Sequence, residues 1–217
     1  MSKKEYFKRY LLFITGLFFS GVGVAFTKYG DLGVSPISSV SNVLSLQFPV
    51  FSLGIWLIIW NCVLLLAQII ILRKDFKIYQ LLQIPLSFLF GWFTDIGMLM
   101  ISHIPNEEYL MKLVLLFIGI IVLAFGISLT VIANVIMNSG EALVKVISDK
   151  IHKEFGYVKI GFDVFCVIAA VLLSLIFFGG IEGVREGTII SAVVSGFVVK
   201  FFTKILQKPL TKILENK

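Results

Sequence analysis

The chain has 217 residues, of which 58% are hydrophobic and 15% charged, and its mean hydropathy is +0.99. A single soluble core of this size cannot hide that much apolar surface, so lipid covers much of it and a soluble globular domain is excluded. The formal net charge of +6 suits attraction to anionic lipid headgroups and requires no nucleic acid partner.

A membrane-crossing helix needs about 20 mainly apolar residues, and six stretches meet or approach that length. They fall at 10–28, 52–72, 80–101, 111–137, 156–178 and 187–206. Lys3, Lys4, Lys8 and Arg9 precede the first stretch in the manner of a signal peptide. No Ala-x-Ala-like cleavage site follows and more spans come after it, so it reads as a retained helix. Basic residues then recur after spans two, four and six. All but Lys28, Lys112 and Arg185 of the 19 Lys and Arg fall on the amino-terminal side. The positive-inside rule therefore predicts a multi-pass protein with both termini cytoplasmic.

Laying the first half on the second, 103 positions apart, aligns Gly16, Gly23, Thr27, Val43 and Ser45 with Gly119, Gly126, Thr130, Val146 and Ser148. Asp31 meets Asn134 and Ser35 meets Asn138 without a gap. The fold class predicted is all-α: six transmembrane helices as two inverted three-helix repeats, 1–104 and 105–217, in one membrane domain. Three spans per repeat is an odd number, so the second unit runs in the opposite sense to the first. Many solute carriers build their path at such a repeat interface.

In span one, Gly23, Thr27, Asp31 and Ser35 recur every fourth residue, and Gly126, Thr130, Asn134 and Asn138 repeat the series in span four. This spacing holds side chains near one helix face. Two readings are open for it. Small residues every four positions permit close helix packing, with Thr bonding back to its own helix. Amides at depth need partners, which fits a pathway lined by Asn134 and Asn138.

A short helix is predicted after each stripe. Ser35-Pro36 supplies a cap and a proline at the first helical position, with Ser38 in the first turn. Asn138-Ser139-Gly140-Glu141 has capping-box spacing. The first short helix is uncharged from Ser35 to Phe48 and suits a return into the bilayer. The second carries Lys145, Asp149, Lys150 and Lys153 and suits the cytoplasmic interface. Both helix starts are candidate sites, because free N–H groups and the positive helix end attract anionic groups. For Glu141, capping alone is the competing reading.

A shift of one places Gly54 and Asn61 on Gly156 and Asp163. A carboxylate inside a span is costly and faces protein or water, so Asp163 binds a cation, carries a proton, or pairs with Lys159 four residues earlier. Asp95 is expected at the outer interface, and Pro85 is expected to kink span three. Span six opens on Gly179, Gly180, Gly183 and Gly187, with Thr188, Ser191, Ala192 and Ser195 along one small face. Cys62 and Cys166 sit singly in spans and form no disulfide framework or metal spacing. No cofactor or metal motif occurs, and neither His103 nor His152 has a ligand-like setting.

Gly33-Val34-Ser35-Pro36, Asn138-Ser139-Gly140-Glu141-Ala142 and Gly187-Thr188 together resemble the YczE/YyaS/YitT family of bacterial integral membrane proteins, over nearly the whole chain. The resemblance implies a multi-pass protein of the bacterial plasma membrane. It lends no substrate and no binding residue.

The function expected is a small-solute transporter or channel with its path between the repeats, for an anionic or zwitterionic solute. Thr27, Ser35, Ser38, Asn61, Thr130, Asn134, Asn138, Glu141 and Asp163 are the candidate lining residues. The alternative is a membrane scaffold, assembly factor or substrate-binding subunit acting through a protein partner, with the basic segment 141–159 or the basic tail as its docking surface. Expected partners are a small solute, the lipid bilayer, and a second copy or another protein. Zinc-hydrolase, nucleophile-elbow and P-loop signatures are absent from the sequence, which argues against an enzyme.

Overall fold

The computed structural model describes residues 3–153 and 155–215, and among these it contains helices and no strand. Lys217, counted above with the basic tail, lies outside the described residues. Eight α-helices follow one another: α1 Lys3–Tyr29, α2 Pro36–Gln47, α3 Leu53–Leu72, α4 Gln83–Ile101, α5 Tyr109–Ala133, α6 Ser139–Ile151, α7 Phe155–Phe178 and α8 Glu186–Glu215. Two 3₁₀ segments, Arg73–Asp75 and Ile78–Leu82, lead from α3 into α4. Six of the helices are long and apolar enough to cross a membrane, and α2 and α6 are the short ones.

The centre of the molecule is the α1–α5 pair. Gly16 lies against the side chain and amide of Thr130 and the carbonyl of Gly126, while Gly119 lies against the side chain and amide of Thr27 and the carbonyl of Gly23. Gly23 meets Leu123, and Gly126 meets Ser20. Each contact has a counterpart 103 positions away. A side chain at any of these glycines would collide with backbone, so the residue that brings the helices together is the one without a Cβ. Thr27 and Thr130 bond back to Val24 O at 2.9 Å and Ile127 O at 2.8 Å. That satisfies each hydroxyl within its own helix and leaves the methyl for packing.

Around this pair the contacts alternate. α4 lies on α1, where Gly97 meets Val22 and Ala25, and α8 lies on α5, where Phe125 meets Phe202 with ring centroids 5.5 Å apart. α2 packs on α7 through Val40, Val43 and Ala170. α6 packs on α3 through Leu143, Val144 and Leu64. α3 and α4 cross tightly, with Gly54 against the Gly91 carbonyl and Gly91 against that of Gly54. Among the described residues, α7 and α8 have no comparable contact.

Several local expectations change. The fourth span ends at Ala133 rather than 137, because Asn134 adopts a left-handed φ of 48° and caps the helix. Asp31, its counterpart, has a left-handed φ of 53° after α1; short polar side chains tolerate this region best. Pro85 stands in the first turn of α4, directly after the 3₁₀ segment that leads into it. The sixth span runs on to Glu215 through Pro209. The capping box at α6 is not formed, because the Asn138 side chain accepts from the adjacent Ser139 N–H at 3.0 Å and not from that of Glu141. The basic segment 141–159 is likewise divided between α6 and α7.

Candidate functional site

Because α2 and α6 each follow a loop that folds back from a long helix, their starts lie inside the bundle. Ile37, in the first turn of α2, rests on Gly140, in the first turn of α6. The two positive helix ends therefore converge. At α2, Ser35 holds the cap position without a side-chain cap bond, and its hydroxyl donates instead to Ser38 Oγ at 2.9 Å. At α6, Asn138 spends its carbonyl on Ser139, whose own hydroxyl is buried with no partner.

The wall around this junction comes from α3 and α7. Ile37 and Trp60 both pack on the cluster of Leu64, Leu143, Val144, Phe162 and Cys166. The indole Nε1 of Trp60 is buried and unpartnered, as is Oε2 of Glu141. Gln68 and Gln83 exchange amide bonds at 3.1 Å in both directions, and Gln68 also donates to the Ser139 carbonyl at 3.1 Å. An unmatched buried polar group costs about 1–3 kcal/mol. Trp60 Nε1, Ser139 Oγ and Glu141 Oε2 are three such groups, and the hydroxyls of Thr188, Ser191 and Thr203 are others.

Lys159 lies 2.6 Å from both carboxylate oxygens of Asp163. Of the readings open for Asp163, the ion pair with Lys159 is the one present. Glu141 feels both charges. Burial pushes its carboxyl above the ordinary value, and nearby Asp163 adds to this; Lys159, its own amide and Asn138 pull the other way.

Of the remaining candidates, Asn61 shares the buried α3 face of Leu64 and Gln68, and the others lie elsewhere. Thr27 and Thr130 belong to the α1–α5 seam. Asn61 is 4% exposed within α3. Asn134 is exposed at the end of α5 and forms a helix cap apart from the junction. A groove of about 600 Å³ between α3, α6 and α7 is lined by Ala67, Ile71, Leu143, Ile147, Val158 and Phe162 among others. It contains none of the predicted polar residues and offers an apolar surface.

Trp60, Ser139, Gln68 and Gln83 were not singled out from sequence. Two amides inside otherwise apolar spans are a readable signal; nothing in the sequence distinguishes Trp60 from a packing aromatic. A second polar cluster occupies the opposite end of α1. Asp31 pairs with Lys112 at 3.0 Å and with Arg185 at 3.7 Å. Lys28 donates to Asn42 at 2.6 Å, and Asn42 to the Gly183 carbonyl at 2.6 Å. The three basic residues that stood apart in the charge count thus gather at one end of the bundle.

These features define a helical, multi-pass membrane protein with a polar junction where two short helices begin. The profile of a family described as a family of unknown function (DUF6198) matches residues 7–204, and the chain belongs to that family. No curated protein and no solved structure matches the chain.

Proposed function

We propose that this protein is a small-solute transporter or channel of the bacterial plasma membrane, with both termini cytoplasmic and a path between two inverted three-span repeats. The repeat reading draws support from the reciprocal α1–α5 contacts at a spacing of 103 residues, which recur atom for atom at Gly16 and Gly119 and residue for residue at Gly23 and Gly126. It also draws on the way α2 reaches α7 while α6 reaches α3. Inverted repeats place their binding sites where discontinuous helices start.

The observation that carries the transport reading is the meeting of Ile37 and Gly140 at two helix starts, with Ser139 Oγ and Glu141 Oε2 of the same turn, and Trp60 Nε1 of the adjoining α3 wall, left unpartnered. Two helix starts and an indole N–H favour an anionic group on the solute. The sealed carboxylate oxygen of Glu141 favours a donor, such as an ammonium. An amino acid or another small zwitterion offers both.

The test is thermal unfolding of the detergent-purified chain against amino acids, organic acids, amines and inorganic ions. A solute at about 100-fold its Kd stabilises the folded state by roughly 2.7 kcal/mol. The expected result is a stabilising zwitterion or anion whose effect is lost in Ser139→Ala and Trp60→Phe. A flat panel in folded protein, with no uptake into proteoliposomes, would overturn the reading and favour a role through a protein partner.

A further inference from the structure

Where α6 lies on α7, Glu141 of α6 is within reach of the charges of the Lys159–Asp163 pair on α7. Lys159 is bound to both oxygens of Asp163 at 2.6 Å. Glu141 stands in the first turn of α6 with Oε2 shut away from solvent and without a hydrogen-bond partner. The other elements around it supply no counter-charge. α2 carries no ionisable residue, and α3 carries only the Cys62 thiol. Within α6, Lys145 and Asp149 pair with each other at 2.5 Å on the exposed side. On α7, Tyr157 is exposed and Cys166 sits one turn beyond Asp163. Lys159 is therefore committed by its hydrogen bonds to Asp163, while its charge also acts on Glu141.

We propose that Glu141 is a proton-binding site, and that Lys159, shared between Glu141 and Asp163, sets its proton affinity. In the loaded form Glu141 is a neutral acid, Lys159 pairs with Asp163, and the three groups sum to zero charge. In the unloaded form the Glu141 O–H bond has broken and the proton has passed to water. The Lys159–Asp163 pair then faces the Glu141 carboxylate, and the pull of Lys159 is divided between two acids. Burial favours the neutral acid, whereas the α6 start favours the anion. These opposed terms let one group both hold and release a proton. The site is a property of the α6–α7 contact and stands whether or not a solute crosses; its use as a coupling-ion site rests on the transport reading.

The measurement is infrared difference spectroscopy of the full chain in liposomes during a pH titration, following the carbonyl stretch of protonated carboxylic acids. The wild type is expected to show such a band with its midpoint above the ordinary glutamate value of 4.5, and Glu141→Gln to lose it. Asp163→Asn frees Lys159 for Glu141, so the band midpoint should move toward acid by about one pH unit or more, tenfold or more in proton affinity. Loss of the band in Glu141→Gln is accepted only where gel filtration shows folded protein. If that variant does not fold, the Asp163→Asn displacement decides. Absence of the band in wild type, its persistence in folded Glu141→Gln, or an unmoved midpoint in Asp163→Asn would overturn the proposal. A titrating Glu141 in protein that moves no solute would retain the proton site and sink the transport reading alone.

Discussion

Adding one methyl group at Gly16, and separately at Gly119, tests the central seam directly. At Gly16 the new carbon would stand 2.7 Å from Thr130 Cγ2, 2.8 Å from the Gly126 carbonyl and 2.9 Å from the Thr130 amide. At Gly119 the corresponding distances are 2.7 Å to Thr27 Cγ2, 2.7 Å to the Thr27 amide and 2.9 Å to the Gly23 carbonyl. Relaxed carbon contacts lie near 3.5–4.0 Å, so α1 and α5 must separate by roughly 1 Å. A rotamer change cannot relieve a collision with backbone. Overpacking of this kind costs about 1–3 kcal/mol, while alanine gains roughly 1 kcal/mol over glycine in a helix. Gly161→Ala and Gly196→Ala are the controls, since a Cβ at either position meets nothing within 4 Å. They receive the helix gain alone. The difference between test and control is then the whole overpacking term, or roughly 2–12 °C in Tm at 2–4 °C per kcal/mol. Thermal unfolding in detergent reads this directly, and the two test variants should match each other because their surroundings do. If Gly16→Ala and Gly119→Ala unfold with the controls, the seam is not the close contact described. If only one of them falls, the reciprocal packing is wrong.

Replacing Gln68 or Gln83 singly by Leu leaves the other amide buried without its partner and should cost about 1–3 kcal/mol, whereas the double replacement should recover most of the loss; a double-mutant cycle in Tm checks the coupling, and additive losses would refute the pair. Asp95 accepts from Ser52 Oγ at 2.5 Å and from the Gly54 N–H at 2.9 Å, so Asp95→Ala should destabilise by about 1.5–3 kcal/mol for each charge-assisted bond it loses. An unchanged melting curve would show that water replaces the carboxylate. For orientation, Glu107→Cys and Lys208→Cys in a chain lacking Cys62 and Cys166 should differ in intact cells. An impermeant thiol reagent is expected to label the first and spare the second, and the reverse pattern would invert the topology.

The six long helices were legible because hydropathy and length act locally: each span announces itself without reference to its neighbours. The starts of α2 and α6 were legible for the same reason, from Ser35-Pro36 and from Asn138 onward. Their meeting was not. Nothing in either segment says that Ile37 will rest on Gly140, since that contact depends on two loops folding back by matched amounts. Spacing rules also overreached at Asn134, where a four-residue periodicity continued through a residue that ends the helix in a left-handed conformation. The capping box failed because Asn138 bonds to the adjacent amide, which leaves the Glu141 carboxyl to its own amide and to Asn138, with Oε2 unpartnered. Gln68 and Gln83 carried a usable signal as amides in apolar runs. Their pairing with each other required the α3–α4 crossing, which depends on Gly54 and Gly91 facing one another.

The two halves share a pattern of contacts and differ in tightness, and the difference bears on where movement is affordable. In the first half, α3 and α4 touch through glycines placed against each other's carbonyls, and Asp95 ties the start of α3 to α4. In the second, Gly161 and Gly196 have open space at the corresponding helices, and α7 and α8 have no comparable contact among the described residues. The junction's ionisable side chains, Glu141, Lys159 and Asp163, all belong to that looser half. A carboxyl group that gains or loses a proton changes its best distance to every neighbour, and close-packed helices resist such changes. A charge-switching group is therefore better placed where a helix can shift, against a partner that cannot. On this argument α3 and α4 form the fixed wall of the junction. The α6–α7 contact, with Lys159 divided between two acids, is the part able to respond.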